Sequence, residues 1–218
     1  MSRLAGLPGW LLVAVWLAVP AVAIALVVVS ITSDDDGSAS GSGLGLASAD
    51  VDVQTPELQR QRVAAGVADC PAPASTPPVD PALPAMTLPC LGGDGGVDLS
   101  GLSGPLVLNL WAQSCGPCRD EMPVLERLNS STSAVTVLGV DFQDLQPGKA
   151  LDLAEASGAT YPSVADVEGE LQAPLRVTGL PTTLFVDAAG RVVATERRAF
   201  TSYAELTTAV ERHLGVRL

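Results

Sequence analysis

The sequence contains a single histidine, His213, among its 218 residues. Metal sites built on several imidazoles are therefore excluded, and a His-activated nucleophile has little basis. Aromatic residues make up only 4% of the chain, so leucine, valine and alanine must supply most of the core. Basic residues are also scarce, because 12 lysines and arginines face 24 aspartates and glutamates, for a formal net charge of −12. A nucleic-acid-binding protein would need a basic face, which this composition argues against.

An uncharged and almost entirely apolar run lies near the N-terminus, at residues 10–31. A helix of that length spans roughly 30 Å, the thickness of the hydrocarbon core of a bilayer. We therefore predict that residues 1–31 form a transmembrane anchor. The alternative is a cleaved signal peptide, because residues 21–23 resemble a small-residue cleavage site, although the apolar run continues beyond it. Arg3 precedes the run and the aspartates at 34–36 follow it, which predicts a single-pass protein of the cell membrane with its bulk on the extracytoplasmic side.

A linker is predicted at residues 32–84, between this segment and the domain. Residues 37–48 are almost entirely glycine, serine, alanine and leucine, which is typical of flexible coil. Residues 71–89 contain seven prolines, which favour an extended and stiff backbone. A short amphipathic stretch at 56–67 is compatible with a turn or two of helix. Residues 85–218 are predicted to form one α/β domain.

Short apolar runs alternate with amphipathic segments throughout that domain. The predicted elements are a hairpin of residues 86–88 and 97–99, a strand at 105–111, a helix at 115–129, a strand at 135–141, a helix at 147–157, a short helix at 171–177, a hairpin of residues 182–187 and 191–196, and a final helix after Ser202. Strands separated by helices, followed by a hairpin and a helix, predict a mixed central sheet flanked by helices.

Two of the four cysteines, Cys115 and Cys118, form a CGPC motif between the predicted strand at 105–111 and the next helix. Unpaired N–H groups and the helix macrodipole stabilise negative charge at a helix N-terminus, which favours the reactive thiolate. Cys115 is therefore predicted to be the attacking nucleophile and Cys118 the resolving cysteine. A zinc site or a structural disulfide is the alternative, but zinc sites usually need two close pairs of ligands.

Residues 111–123 (WAQSCGPCRDEMP) resemble the active-site segment of thioredoxin-like proteins, and more closely that of the TlpA/ResA-like membrane-anchored family of extracytoplasmic thiol–disulfide oxidoreductases. The resemblance covers about residues 85–214 and includes 179–183 (GLPTT), which in the family carries a cis-proline facing the CxxC motif. It implies a thioredoxin fold with an N-terminal β-hairpin and a β-α insertion, here at about 141–166.

The resemblance implies an enzyme that reduces protein disulfides, with electrons from a membrane-embedded thiol donor and with no metal or organic cofactor. Reduction of the haem-attachment cysteines of apocytochrome c is the best-known task of the family. Oxidation or isomerisation of secreted proteins stays open, because the reduction potential depends on thiolate stability, which the sequence does not fix. A non-catalytic binding module, in which the CGPC pair is only structural, also stays open. A peroxidase is less favoured, because none of the four cysteines follows the Pro-x-x-x-Thr segment typical of peroxidases with this fold.

Five residues around the motif are predicted to bind substrate: Trp111, Gly116, Pro117, Leu180 and Pro181. A cis-proline at 181 exposes the backbone of Leu180 for strand-like pairing with a substrate segment. Trp111 is expected to pack in the core as well as at the edge of the groove.

Two positions depart from the thioredoxin pattern. Asn109 replaces a buried aspartate that accepts the proton of the second cysteine in thioredoxin, and asparagine cannot accept a proton. The candidates for that role here are water and the carboxylates Glu121, Asp141 and Asp144. Ser114 replaces a bulky residue before the first cysteine, so the lip of the groove is expected to be more polar.

The other two cysteines, Cys70 and Cys90, are most simply a structural disulfide. It would close a loop of about twenty residues and contribute roughly 3 kcal/mol to stability. It would also attach the proline-rich linker to the hairpin. The alternative is a second redox pair that relays electrons.

Overall fold

The computed structural model describes residues 51–71 and 83–218. The predicted anchor at 1–31 and the greater part of the predicted linker lie outside these ranges. None of the helices in the two described ranges is long and apolar enough to cross a bilayer.

The described residues contain seven strands and four α-helices. The strands are β1 (Thr87–Pro89), β2 (Gly96–Asp98), β3 (Leu106–Trp111), β4 (Thr136–Phe142), β5 (Ser163–Asp166), β6 (Thr182–Val186) and β7 (Val192–Glu196). The helices are α1 (Pro56–Ala64), α2 (Gly116–Ser131), α3 (Pro147–Ser157) and α4 (Tyr203–Leu214). This order confirms the predicted hairpin, the insertion and the C-terminal hairpin and helix.

The central sheet is mixed, as predicted, with the strand order β5-β4-β3-β6-β7. β3 lies in its middle, parallel to β4 and antiparallel to β6. Leu110 lies opposite Thr182, so the end of β3 meets the start of β6. Because the CGPC motif follows β3 and Pro181 precedes β6, this register brings the motif and the proline to the same edge of the sheet.

Hydrophobic side chains fill both faces of the sheet. Successive residues of a strand point to opposite faces. Accordingly, Val107 and Trp111 pack into one buried cluster with α2 and α4, whereas Leu106 and Leu108 pack into a second cluster with the β1–β2 hairpin. Every residue of β3 is buried. The strand that carries the motif is therefore held rigidly from both sides.

Part of the predicted linker packs on the domain. α1 lies within the predicted linker at 32–84, and it contacts α3. Thr55 caps α1 by accepting the Leu58 N–H at 3.3 Å, and Leu58 is buried. Gln61 fastens α1 to α3, because its Nε2 donates to the Gly148 carbonyl at 2.8 Å and to Asp152 Oδ1 at 2.6 Å.

Two local predictions differ from the structure. The predicted helix at 171–177 is a series of turns, because Pro174 has no N–H to donate and Arg176 adopts a positive φ of 52°. β5 was not predicted as a strand. It has only four residues and lies at the edge of the sheet, where the sequence signal is short.

Candidate active site

Cys115 and Cys118 form a disulfide at the N-terminus of α2, with their Cα atoms 5.3 Å apart. Cys115 is the N-cap residue, and its Sγ accepts the Cys118 N–H at 3.2 Å. Cys115 is half-buried, whereas Cys118 is 0% exposed. An incoming disulfide can therefore reach the sulfur of Cys115 and not that of Cys118.

The local sequence explains this placement. After β3 ends, the Cys115 N–H donates to the Ala112 carbonyl at 3.0 Å and turns the chain into α2. Pro117 lies in the first turn of the helix, where its missing N–H costs no hydrogen bond. Gly116 and Pro117 are both exposed beside the nucleophile.

Glu121 is a fully buried carboxyl on the same helix as the motif. Its Oε2 accepts from Asn109 Nδ2 at 2.9 Å, and its Oε1 accepts the Phe200 N–H at 2.9 Å. Burial raises the pKa of Glu121 to about 7, although these two hydrogen bonds oppose the rise. Residues three apart share one face of a helix, so Glu121 lies next to Cys118 on α2. This carboxyl is therefore suited to exchange a proton near neutral pH.

The other two candidate carboxyls lie at the end of β4. Asp141 is buried opposite Trp111, and within the described chain neither of its oxygens has a hydrogen-bond partner. Burial, reinforced by nearby Asp144, raises the pKa of Asp141 well above its ordinary value and favours its neutral form. Asp144 accepts the backbone N–H groups of Gln113 at 2.8 Å and Gln146 at 2.9 Å. Asp144 therefore holds the loop that leads to Cys115.

Trp111 does not lie where the sequence predicts. We expected it to contact substrate, but it is 0% exposed. It packs so closely under β4 that a Cβ on Gly139 would lie 2.7 Å from Trp111 Nε1. Its role is therefore core packing behind the site, and the prediction of a substrate contact is wrong.

The Leu180–Pro181 bond is cis, as the resemblance implies. Pro181 is buried and Leu180 is half-buried. Leu180 and Ser114 line one cleft of about 270 Å³, which places the proline loop next to the cysteine loop. Ser114 is exposed on this cleft, in agreement with a more polar lip.

Two glutamines of this cleft, Gln143 and Gln172, were missed by the sequence analysis. No motif marks either position, and they lie on separate turns that only the folded chain brings together. The positive φ of Gln143, 52°, is the structural sign that distinguishes it.

Cys70 and Cys90 are disulfide-bonded, with their Cα atoms 6.1 Å apart, so the predicted pairing is present. Cys90 is 3% exposed, and its backbone forms an isolated antiparallel β-bridge with Val164 of β5. The bond therefore joins the segment after α1 to the edge of the sheet. In the ranges that the structure describes, no group of three or more histidine, cysteine, aspartate or glutamate side chains is placed to hold a metal ion.

A mixed sheet of this order, a CxxC disulfide at the start of the helix after its central strand, and a cis-proline beside it define a thioredoxin fold. The fold and the site are those of the thiol–disulfide oxidoreductase class. The sequence model of the AhpC/TSA family matches residues 79–195, which is more than half of the chain, and the chain belongs to this family.

Similar proteins agree with that class. The thiol:disulfide interchange protein DsbE of Pseudomonas fluorescens biotype C is 35% identical over 108 residues, 49% of this chain and 60% of that protein. The thioredoxin-like protein YneN of Bacillus subtilis is 32% identical over 88 residues, 39% of this chain and 51% of that protein. The chain thus spans about half of these curated relatives, or slightly more.

Solved structures show the same fold. A secreted Mycobacterium tuberculosis disulfide oxidoreductase, described as homologous to E. coli DsbE, superposes with a TM-score of 0.55 at 25% identity. The match covers 62% of this chain and 99% of that chain. Together with the curated relatives, it confirms the resemblance to the TlpA/ResA-like oxidoreductases.

Proposed function

We propose that this protein reduces disulfides of other proteins on the extracytoplasmic side of a membrane. The observation that supports this most strongly is the unequal exposure of two bonded cysteines at the N-terminus of α2. Cys115 is accessible and its sulfur accepts a first-turn N–H, while Cys118 is buried behind it. A paired cysteine of this kind also favours disulfide exchange over the lone-cysteine chemistry of a peroxidase.

The first step of the reaction begins from the reduced dithiol. The N–H groups of the first turn of α2 stabilise the Cys115 thiolate, which attacks one sulfur of a substrate disulfide. A mixed disulfide forms between Cys115 and the substrate, and the other substrate sulfur leaves as a thiolate that takes a proton from water.

The second step releases the product. Cys118 loses its proton to Glu121, whose pKa of about 7 allows it to accept one at neutral pH. The Cys118 thiolate then attacks Cys115, the substrate leaves with two electrons, and the Cys115–Cys118 disulfide forms. A dithiol donor must then reduce the protein, and we assign that role to a membrane-embedded thiol transporter.

Substrate binding is proposed to use the backbone of Leu180. It lies beside Pro181 at the edge of the cleft, where an extended substrate segment can pair with it in a strand-like manner. Gly116 and Pro117, which are exposed beside Cys115, are proposed to contact the same substrate segment.

We further propose a cellular location and a client protein. The uncharged run at 10–31 supports a single-pass anchor, and the Cys70–Cys90 disulfide suits an oxidising compartment. Apocytochrome c is the proposed client, through reduction of its haem-attachment cysteines.

Insulin reduction by the full chain tests the activity. We expect catalysed reduction with dithiothreitol as the donor, and none above background for Cys115→Ala. The reduction potential of the Cys115–Cys118 pair tests the direction. A value well below about −200 mV supports a reductant, whereas one near −120 mV would identify an oxidant. Full activity of Cys115→Ala would contradict the proposal altogether.

A further inference from the structure

The cleft beside Cys115 contains no ionisable side chain, although the chain as a whole carries a net charge of −12. Phe142 and Val177 are apolar and almost completely buried within it. Ser114 lies at its lip, where a small side chain leaves the entrance open. A charged group that entered this cleft would find no partner of opposite charge among the lining residues.

Gln143 is held in the cleft by an unusual backbone conformation. It is one of two non-glycine residues with positive φ in the described ranges. Its N–H donates to the Asp166 carbonyl at 2.8 Å. A Cβ at Gly169 would lie 2.6 Å from Gln143 Cγ, so the glycine makes room for this side chain. Such conformations persist only where the surroundings fix them, and they cluster at ligand-binding sites.

The second glutamine lies on a turn that is fixed just as firmly. The Asp166 carboxylate accepts the N–H groups of Glu170 at 2.8 Å and Leu171 at 2.9 Å. Gln172 follows directly, and its N–H donates to the Gly169 carbonyl at 2.9 Å. Both glutamines are therefore presented by rigid backbone rather than by free loops.

The two side-chain amides contact each other and keep one group each for a ligand. Gln143 Nε2 donates to Gln172 Oε1 at 3.3 Å. Both side chains are exposed, and no hydrogen bond from another described residue engages Gln143 Oε1 or Gln172 Nε2. One acceptor and one donor are thus available side by side, which is the pattern that a carboxamide group complements.

We propose that Gln143 and Gln172 form a specificity pocket for an uncharged side chain next to the substrate cysteine, with asparagine or glutamine bound best. Such a side chain donates to Gln143 Oε1 and accepts from Gln172 Nε2. An aspartate at the same place presents two acceptors and no donor, so it leaves Gln143 Oε1 without a donor. The proposal rests on the proposed disulfide reductase function and names a substrate class for it.

A matched pair of peptide disulfides tests the pocket, with asparagine or aspartate flanking the cysteine. For the full chain we expect kcat/KM to be about tenfold higher with asparagine, mostly through KM. The ratio should fall below about twofold in a Gln143→Ala/Gln172→Ala variant. Gln172→Lys should reverse it, because its ammonium pairs with the aspartate. Gln146→Ala, an exposed glutamine whose side chain makes no capping bond, is the control and should keep the wild-type ratio.

Hydroxyethyl disulfide, which has no flanking residue, separates this proposal from the function on which it rests. The wild type and the control Gln146→Ala should reduce it at equal rates. An equal rate for both peptides in the wild type, or a preference that survives in the double variant, would overturn the pocket. Failure to reduce hydroxyethyl disulfide would overturn the function instead. In that case, binding of an asparagine peptide with serine in place of cysteine, and its loss in the double variant, still decides the pocket.

Discussion

The two disulfides of this chain are the same bond in two different surroundings. Cys115 and Cys118 lie three residues apart, at a helix N-terminus, with one accessible sulfur and the buried Glu121 on the same helix. Cys70 and Cys90 lie 20 residues apart, and they join the segment after α1 to the edge of the sheet. We expect the first environment to stabilise a thiolate and to offer a proton acceptor, and the second to offer mainly attachment. On this proposal, position rather than bond type separates a reactive disulfide from a structural one.

Removal of each pair in turn should separate the two roles most clearly. Cys115→Ala/Cys118→Ala is expected to abolish insulin reduction, because both sulfurs of the reaction are gone. Cys70→Ala/Cys90→Ala is expected to keep that activity within about twofold and to lose about 3 kcal/mol of unfolding free energy, since a long loop is no longer closed. Denaturant unfolding and the insulin assay on both variants measure this. Loss of activity in the second variant would indicate the alternative, a second redox pair.

Graded reduction of the wild-type chain sharpens the same comparison without any substitution. Each disulfide has one half-buried and one buried cysteine, so exposure alone does not set the order. Mild reductant should open Cys115–Cys118 first, because the N-terminus of α2 stabilises the Cys115 thiolate that is released. Structural disulfides typically have potentials below about −300 mV, so Cys70–Cys90 should stay closed. Differential alkylation with mass mapping reports the order. Equal labelling of all four cysteines would show that the surroundings do not protect the second bond.

Glu121→Gln should affect only the first disulfide. Without the proton acceptor, resolution of the mixed disulfide at pH 7 should slow by about 100-fold, and its pH dependence near 7 should disappear. Rapid-quench measurement of the mixed disulfide tests this. Asp120→Asn, an exposed carboxyl on the same helix, is the control and should leave the rate unchanged. An unaltered pH profile in Glu121→Gln would point to water as the acceptor.

The same carboxyl predicts a dependence of stability on pH. The pKa of Glu121 is about 7 in the folded chain and 4.5 ordinarily, so the folded state binds more protons between these values. The free energy of unfolding should therefore fall as pH rises from about 4.5 to about 7, with about 3 kcal/mol of the decrease contributed by Glu121. Glu121→Gln should remove that contribution, whereas the contribution of Asp141, whose pKa is also raised, should remain. Unfolding curves across this range check the sign.

Sequence reasoning located the CGPC motif between β3 and α2 because its signals are local. The apolar strand before Cys115, Pro117 in the first helical turn and the segment before Pro181 each act through neighbouring residues. Sequence reasoning failed where contacts between distant segments determine the position of a side chain. Trp111 is buried by β4, and Gln143 reaches Gln172 only across the turn at Gly169.

The docking of α1 was missed for the same reason. Its sequence is strongly polar, and Leu58 is its single buried residue. No apolar stripe marks a helix that packs on a domain. The Cys70–Cys90 bond that follows the helix was predicted. The long-range contacts of Gln61 with α3, which also attach the helix, are not encoded by any local pattern.

Asp144→Asn should have a smaller effect, confined to the reactive side. Asparagine keeps one acceptor oxygen, so one of the N–H groups of Gln113 and Gln146 loses its partner, at a cost of about 1 kcal/mol. Insulin reduction should slow a few-fold because the loop before Cys115 is held less firmly. The reduction behaviour of Cys70–Cys90 should not change. Glu155→Gln, which changes an exposed carboxyl on α3, is the control. If it slowed insulin reduction as much as Asp144→Asn does, Asp144 would not have a specific positioning role.

The smallest effect is expected at the other disulfide, from Thr55→Ala. The variant removes the N-cap of α1, which should cost about 1 kcal/mol. Because Cys70 attaches the segment after α1 to the sheet, the helix should fray locally while the rest of the domain is unaffected. Hydrogen exchange of the α1 amides should rise in Thr55→Ala, and more so with Cys70→Ala/Cys90→Ala added, while insulin reduction stays constant. A slower insulin reaction in Thr55→Ala would mean that α1 supports the reactive site, and the two disulfides would then not act independently.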